Sequence, residues 1–402
     1  LYFRKHLQTL SEMKKILFSA LAICAAMTAC DKKADEPTPI TDSAVVQNYA
    51  LIVSESYQDA IKGVTNLKTQ IDAFVKNPTA AGLEACKKAW IDSRPAYLQT
   101  EAYRFYGGPI DDSNEYEGLI NSWPLDESTI DYVQGDANAG LINDPVQFPT
   151  ISKQVLQDDN GKGGETDVKV GYHAIEFLLW GQDFYADSPG KRPYTDYVTG
   201  TGGTAKNQAR RAQYLQVVTD LLIEDLTAVA VQWVPNKGTY WTDFTKKGNE
   251  SKAILNMFTG MGKLSKGELS GERMAVALAS QDQEDEHSCF SDNTTNDIIY
   301  DDLGVYNVYI GRYVKSDGTV IDGPGLDDLV KAKDVKANSD QIALFEASIL
   351  ASKAIPAPFD QAIIKSKDKV QAAIKAIRAQ ADQLPVVAKA IGISLVVPET
   401  NK

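Results

Sequence analysis

Apolar residues recur every three or four positions along much of this 402-residue chain, the spacing of a helix with one buried face. Residues 42–77 predict one long helix of this kind. A second helical stretch follows at 78–109, with Thr79 as its cap and Gly107-Gly108-Pro109 as its stop. Pro95 is expected to kink or divide it. Residues 111–150 are rich in Asp, Asn, Gly and Pro around "SWPLDESTIDYV", and predict ordered loops with short helices. A short, intensely apolar helix, "GYHAIEFLLWGQ", occupies 171–182, and 188–206 is an irregular excursion. A long amphipathic helix covers 207–233. Beyond "VPNKGTY" at 234–240, helical patterning returns at 251–287, 335–355 and 360–384. Few stretches alternate with period two. The fold class expected is all-α, with two helical-bundle domains packed side by side at 45–240 and 241–402. Two such bundles suit an ancient duplication, although no internal repeat stands out.

The first residues read differently. Met13-Lys14-Lys15 followed by "ILFSALAICAAMTAC" has the layout of a signal peptide. Its apolar run is too short for a comfortable permanent span. "MTAC" resembles a lipobox, which makes Cys30 the expected acylated residue and holds the chain to a membrane surface without spanning it. Residues 1–29 are then upstream residues and signal peptide, and 30–44 a lipidated Cys with a flexible, proline-containing tether.

Charge narrows the partners. Residues 1–29 carry a net +3, so removing them takes the chain from −13 to −16. An acidic surface of that size argues against nucleic acid and suits cations or neutral partners. Cys86 and Cys289 are left after Cys30, and spacing does not decide whether they pair.

Only His6, His173 and His287 are histidines. On a helix over 171–182, Glu176, Trp180, His173 and Phe177 fall within an arc of about 100°, and apolar residues fill the rest. A helix apolar all round is buried, so both polar side chains need partners. Two readings stand. In one, His173 and Glu176 bond to each other and to backbone. In the other, both face a shared cation, since a carboxylate and an imidazole one turn apart is the geometry of metal-carboxylate bundles.

The stretch "SQDQEDEHSCFSDNTTND" (280–297) gathers six carboxylates and His287. If the helix of 271–279 continues through it, Asp282 and Glu286 extend the apolar stripe and point inward, with His287 to one side. A third candidate is the i,i+3 pair Glu101 and Arg104, usually structural, but able to orient a ligand carboxylate. "GTGGTAK" lacks phosphate-loop spacing and no HExxH is present.

Gly171-Tyr172-His173-Ala174-Ile175-Glu176 fits the GxHxxE motif of the imelysin family, and the chain resembles that family from about residue 45 to 400. "EAYRFYGGPIDD", "INSWPLDESTIDYV", "RPYTDYVTG", "SGERM" and "SQDQEDEHSCFSDNT" reinforce the resemblance. It implies an all-helical fold of two bundles, a cleft between them containing the His-x-x-Glu pair, and a bacterial cell-envelope location, periplasmic or on the outer-membrane surface. It implies two activities. In one, His173, Glu176 and His287 hold zinc, and Glu176 or Glu286 serves as the base of a metallopeptidase. In the other, the same residues with Asp282 and Glu286 capture iron for uptake, alongside envelope iron-transport components. The acid-rich, histidine-poor composition favours iron binding. A peptide- or haem-binding protein using the aromatic loops around Trp123 and Tyr132 is the third reading.

Overall fold

A computed structural model describes residues 39–399. The signal peptide and the acylated Cys30 expected from sequence lie outside the described residues. Fourteen α-helices are described. The first group is α1 (Asp42–Lys76), α2 (Ala80–Leu98), α3 (Tyr116–Ile120), α4 (Lys153–Asp159), α5 (Gly171–Trp180), α6 (Gln208–Gln232), α7 (Thr239–Phe244) and α8 (Glu250–Lys263). The second is α9 (Val276–Ser280), α10 (Thr294–Ile310), α11 (Leu326–Lys333), α12 (Val335–Lys353), α13 (Phe359–Lys365) and α14 (Lys367–Ala390). Strands β1 (Arg312–Val314) and β2 (Val320–Asp322) form one antiparallel hairpin, Tyr313 opposite Ile321. The all-α expectation holds, this hairpin aside. No described helix is long and apolar enough to cross a membrane.

Thr79 caps α2 as expected, its hydroxyl accepting from the Gly82 amide. Pro95, however, does not divide α2. The helix runs through it to Leu98 and then tightens into a 3-10 turn at Gln99–Tyr103. The Gln99 side-chain amide donates to the Pro95 carbonyl at this transition.

α1 and α2 pack together across a three-residue link, and α6 lies against α1 and α5. In the later part, α14 packs on α12 and α8, while α10 rests on α2 and the 3-10 turn. Apolar side chains from both sides of 234–240 belong to one contiguous core, from Val45 to Leu395.

Between α8 and α9 the rod is wound as a π-helix, Leu264–Ala275. Such winding is rare beyond one turn and concentrates at functional sites. Here it lets residues five apart share a face: Arg273 Nε donates to Glu268 Oε1 at 3.1 Å. The rest of the Arg273 guanidinium reaches Asp301 and Glu101.

Candidate functional site

Every residue of α5 is buried. Its entry requires Gly171, whose φ is +84° and whose missing Cβ would sit 2.5 Å from the Ile120 carbonyl oxygen. The Trp90 indole donates to the Tyr172 carbonyl and the Tyr197 hydroxyl to that of Leu178. These ties fix the helix that carries the His-x-x-Glu pair.

His173 Nδ1 and Glu176 Oε2 are 2.8 Å apart, as their one-turn spacing anticipates. Glu176 Oε1 accepts from the Ser291 amide (2.9 Å) and hydroxyl (2.6 Å). Both Glu176 oxygens are therefore engaged. Burial pushes its carboxyl up to about 8 against the Ser291 hydrogen bonds. Burial, with Arg94 nearby, holds the His173 imidazole well below its ordinary value. His173 Nε2 is buried and has no hydrogen-bond partner.

His287 is brought against His173, ring centroids 4.7 Å apart and planes at 70°. Its Nδ1 lies 2.7 Å from Asp297 Oδ2. Burial alone would raise the Asp297 carboxyl, but Arg94 and the His287 and Ser288 hydrogen bonds hold it well below the usual carboxylate range. An ionised carboxylate only accepts, so His287 Nδ1 carries the proton. Nε2 then accepts from the Asn121 side-chain amide, at 3.3 Å. Burial, followed by Arg273, pushes the His287 imidazole down to about 3 despite Asp297. Arg94 bridges two of these residues: Nη1 donates to Asn121 Oδ1 (2.7 Å) and Nη2 to Asp297 Oδ2 (3.3 Å). Its guanidinium lies 4.6 Å from the Tyr172 ring centroid, and the Trp123 ring meets His287 edge-on.

The remaining sequence candidates sit elsewhere. The helix does not continue through 280–287, contrary to expectation. It ends at Ser280, because Gln281 turns left-handed (φ +58°) and reverses the chain. Asp282 is consequently exposed, and its carboxylate caps the 3-10 turn Gln283–Asp285 by accepting from the Glu284 amide. Glu286 is buried as expected. Its Oε2 has no hydrogen-bond partner, and burial together with Asp360, Asp292 and Asp183 raises its carboxyl well above the usual range. Glu101 and Arg104 do pair, at 2.7 Å. Their other partners are Arg273 for Glu101, and Glu117 and Asp111 for Arg104. Cys86 and Cys289 are both free and buried.

Asn121, Ser291 and Asp297 were missed as site residues. Asp297 lay inside the acidic stretch, but nothing in a helical projection distinguishes it from its neighbours. Among the described residues, no group of three or more His, Cys, Asp or Glu is placed to hold a metal ion. The donor set is instead two neighbouring imidazoles, each with Nδ1 held by a carboxyl group. That is how proteins orient ligating histidines. The unpartnered His173 Nε2 fits a cation when Glu176 is ionised, because Nδ1 then carries the proton and Nε2 keeps its lone pair.

A curated relative, iron-regulated protein A of Synechococcus elongatus, is 24% identical over 304 residues, covering 73% of this chain and 71% of its own. A crystal structure of a candidate iron-regulated protein A precursor from Parabacteroides distasonis superposes with a TM-score of 0.67 at 18% identity, covering 89% of this chain and 97% of that one. An imelysin-like protein from Psychrobacter arcticus superposes with a TM-score of 0.62 at 13% identity, covering 89% and 98%. At these identities the structural likeness speaks for the fold alone. The Imelysin family model matches residues 53–384, and the chain belongs to the imelysin family.

Proposed function

We propose that this chain is a cell-envelope protein that binds a metal ion, iron first among candidates and zinc second, and acts in metal uptake. The observation that carries this reading is His173 Nε2, buried without a partner beside the carboxylate-fixed His287. His173 would hold the ion, joined by His287 where the metal displaces the Asn121 amide from its Nε2, with Glu176 and Asp297 orienting the rings. Imidazole suits ferrous iron and zinc alike, and the name of the cyanobacterial relative favours iron. The ion's other ligands would come from outside the chain. A metallopeptidase reading is less well supported, because Glu176 has both oxygens occupied by His173 and Ser291, which leaves Glu286 as the base it would use.

Calorimetric titration with ferrous iron and with zinc tests the reading. Saturable binding is expected in the native protein and its loss in His173→Ala. Absence of saturable binding of either ion refutes the site. Chelator-sensitive cleavage of an unfolded polypeptide, lost in Glu176→Gln, would replace uptake by proteolysis.

The envelope reading carries its own test. Cells fed labelled palmitate are expected to label the native chain and not Cys30→Ala. An unlabelled native chain removes the lipid anchor from the proposal.

A further inference from the structure

Eight residues beyond His173, about 12 Å along the axis of α5, the chain leaves the helix at Gly181 and borders a cavity of about 210 Å³. Its walls include Tyr132, Trp180, Gly181, Tyr185, Lys191 and Arg192. Three features give it a chemical preference.

The first is an unsatisfied donor. Arg192 is buried, and its Nη1 donates to Asp131 (2.9 Å) and Asp196 (3.2 Å), yet its Nε–H has no partner. An unpaired buried donor of this kind costs on the order of 1–3 kcal/mol. The second is the glycine beside it. Gly181 takes φ +72°, and a Cβ there would lie 3.6 Å from Arg192 Nε. No side chain at 181 stands against Nε on that side, although the atom itself is enclosed. The third is Lys191, which is exposed, sits 3.5 Å from the Tyr185 ring centroid and makes no ion pair among the described residues. Two positive groups therefore border a cavity with Tyr132, Trp180 and Tyr185 as aromatic walls. The volume is below the ~300–1,000 Å³ of common ligand clefts, so the occupant is small.

We propose that this cavity binds a small aromatic carboxylate. Its carboxylate accepts from Arg192 Nε–H and Lys191 Nζ–H, and its ring lies against the aromatic walls. Charge-assisted acceptance selects the anion, and ring-to-ring contact selects the aromatic body.

Isothermal titration of the folded chain with phenylacetate tests this, with phenylacetamide as its neutral counterpart. Saturable phenylacetate binding is expected, with phenylacetamide about tenfold weaker for loss of a charged hydrogen bond. Lys191→Gln and Tyr185→Ser are at exposed loop positions, and each is expected to weaken phenylacetate about tenfold while leaving the thermal melt unchanged. His173→Ala is expected to bind phenylacetate like the native chain, which separates this cavity from the histidine site. The proposal is overturned if phenylacetate does not saturate, if phenylacetamide binds equally well, if neither loop substitution changes affinity, or if His173→Ala abolishes binding.

Discussion

Asp297→Ala is expected to lower the stability of the protein by about 3–5 kcal/mol, the usual cost of leaving one partner of a buried ion pair behind. Asp297 is fully enclosed and accepts from four side chains: His287 Nδ1 (2.7 Å), Ser288 Oγ (2.5 Å), Arg94 Nη2 (3.3 Å) and Asn293 Nδ2 (2.8 Å). Its removal strands the Arg94 guanidinium, fully buried, with Asn121 and ring faces as its remaining company. Urea unfolding checks this as a lower midpoint with an unchanged slope. Adding Arg94→Met is expected to recover part of the loss, because the stranded charge is then gone. The pH dependence has a definite sign. The Asp297 carboxyl is held below its unfolded value, so its contribution is full above the unfolded pKa of about 4 and is lost as pH falls below it. The gap between native and variant should therefore narrow in acid.

The second large effect is expected at Asp131. Its Oδ2 accepts from Arg192 Nη1 (2.9 Å) and Arg211 Nε (2.6 Å), and its Oδ1 from Arg211 Nη2 (2.7 Å). Both arginines are buried, and burial's upward pull on the Asp131 carboxyl is overcome by them. Asp131→Ala leaves Arg192 with the Asp196 carboxylate, which Tyr132 and Thr204 also engage, and Arg211 with main-chain carbonyls alone. A loss of about 3–5 kcal/mol is expected here too. It should be accompanied by faster amide exchange across 188–206, which Arg211 ties down through the Asp196 and Lys206 carbonyls. Exchange in that segment no faster than in the native protein would show that the excursion is held by something else.

That excursion illustrates what could be read from the sequence. Its glycines, prolines and polar residues announce an irregular segment, and it is one. Nothing in the pattern shows that Arg192 and Arg211 are buried on one carboxylate, because Asp131 lies 61 and 80 residues upstream of them. The same contrast runs through the candidate site. His173 and Glu176 were legible because three residues on a helix place two side chains together. The burial of α5 followed from its composition. His287 was legible as a rare residue in an acidic run. The helix end at Ser280 was not, since a single left-handed residue, Gln281, diverts the chain and the apolar stripe before it gives no warning. Asp282 was lost from the site with that turn. Ser291 and Asn121 were invisible for the reason that hid Asp131: each acts on a residue more than a hundred positions away.

Those long separations bear on how the protein is made. Glu176 meets Ser291 across 115 residues, Asn121 meets His287 across 166, and Arg94 meets Asp297 across 203. No short fragment contains the whole arrangement, and a chain still emerging from the ribosome lacks its long-range part until Asp297 is out. The paired imidazoles are thus a late product of maturation. A chain kept unfolded on its way to another compartment would travel without them and acquire them on arrival.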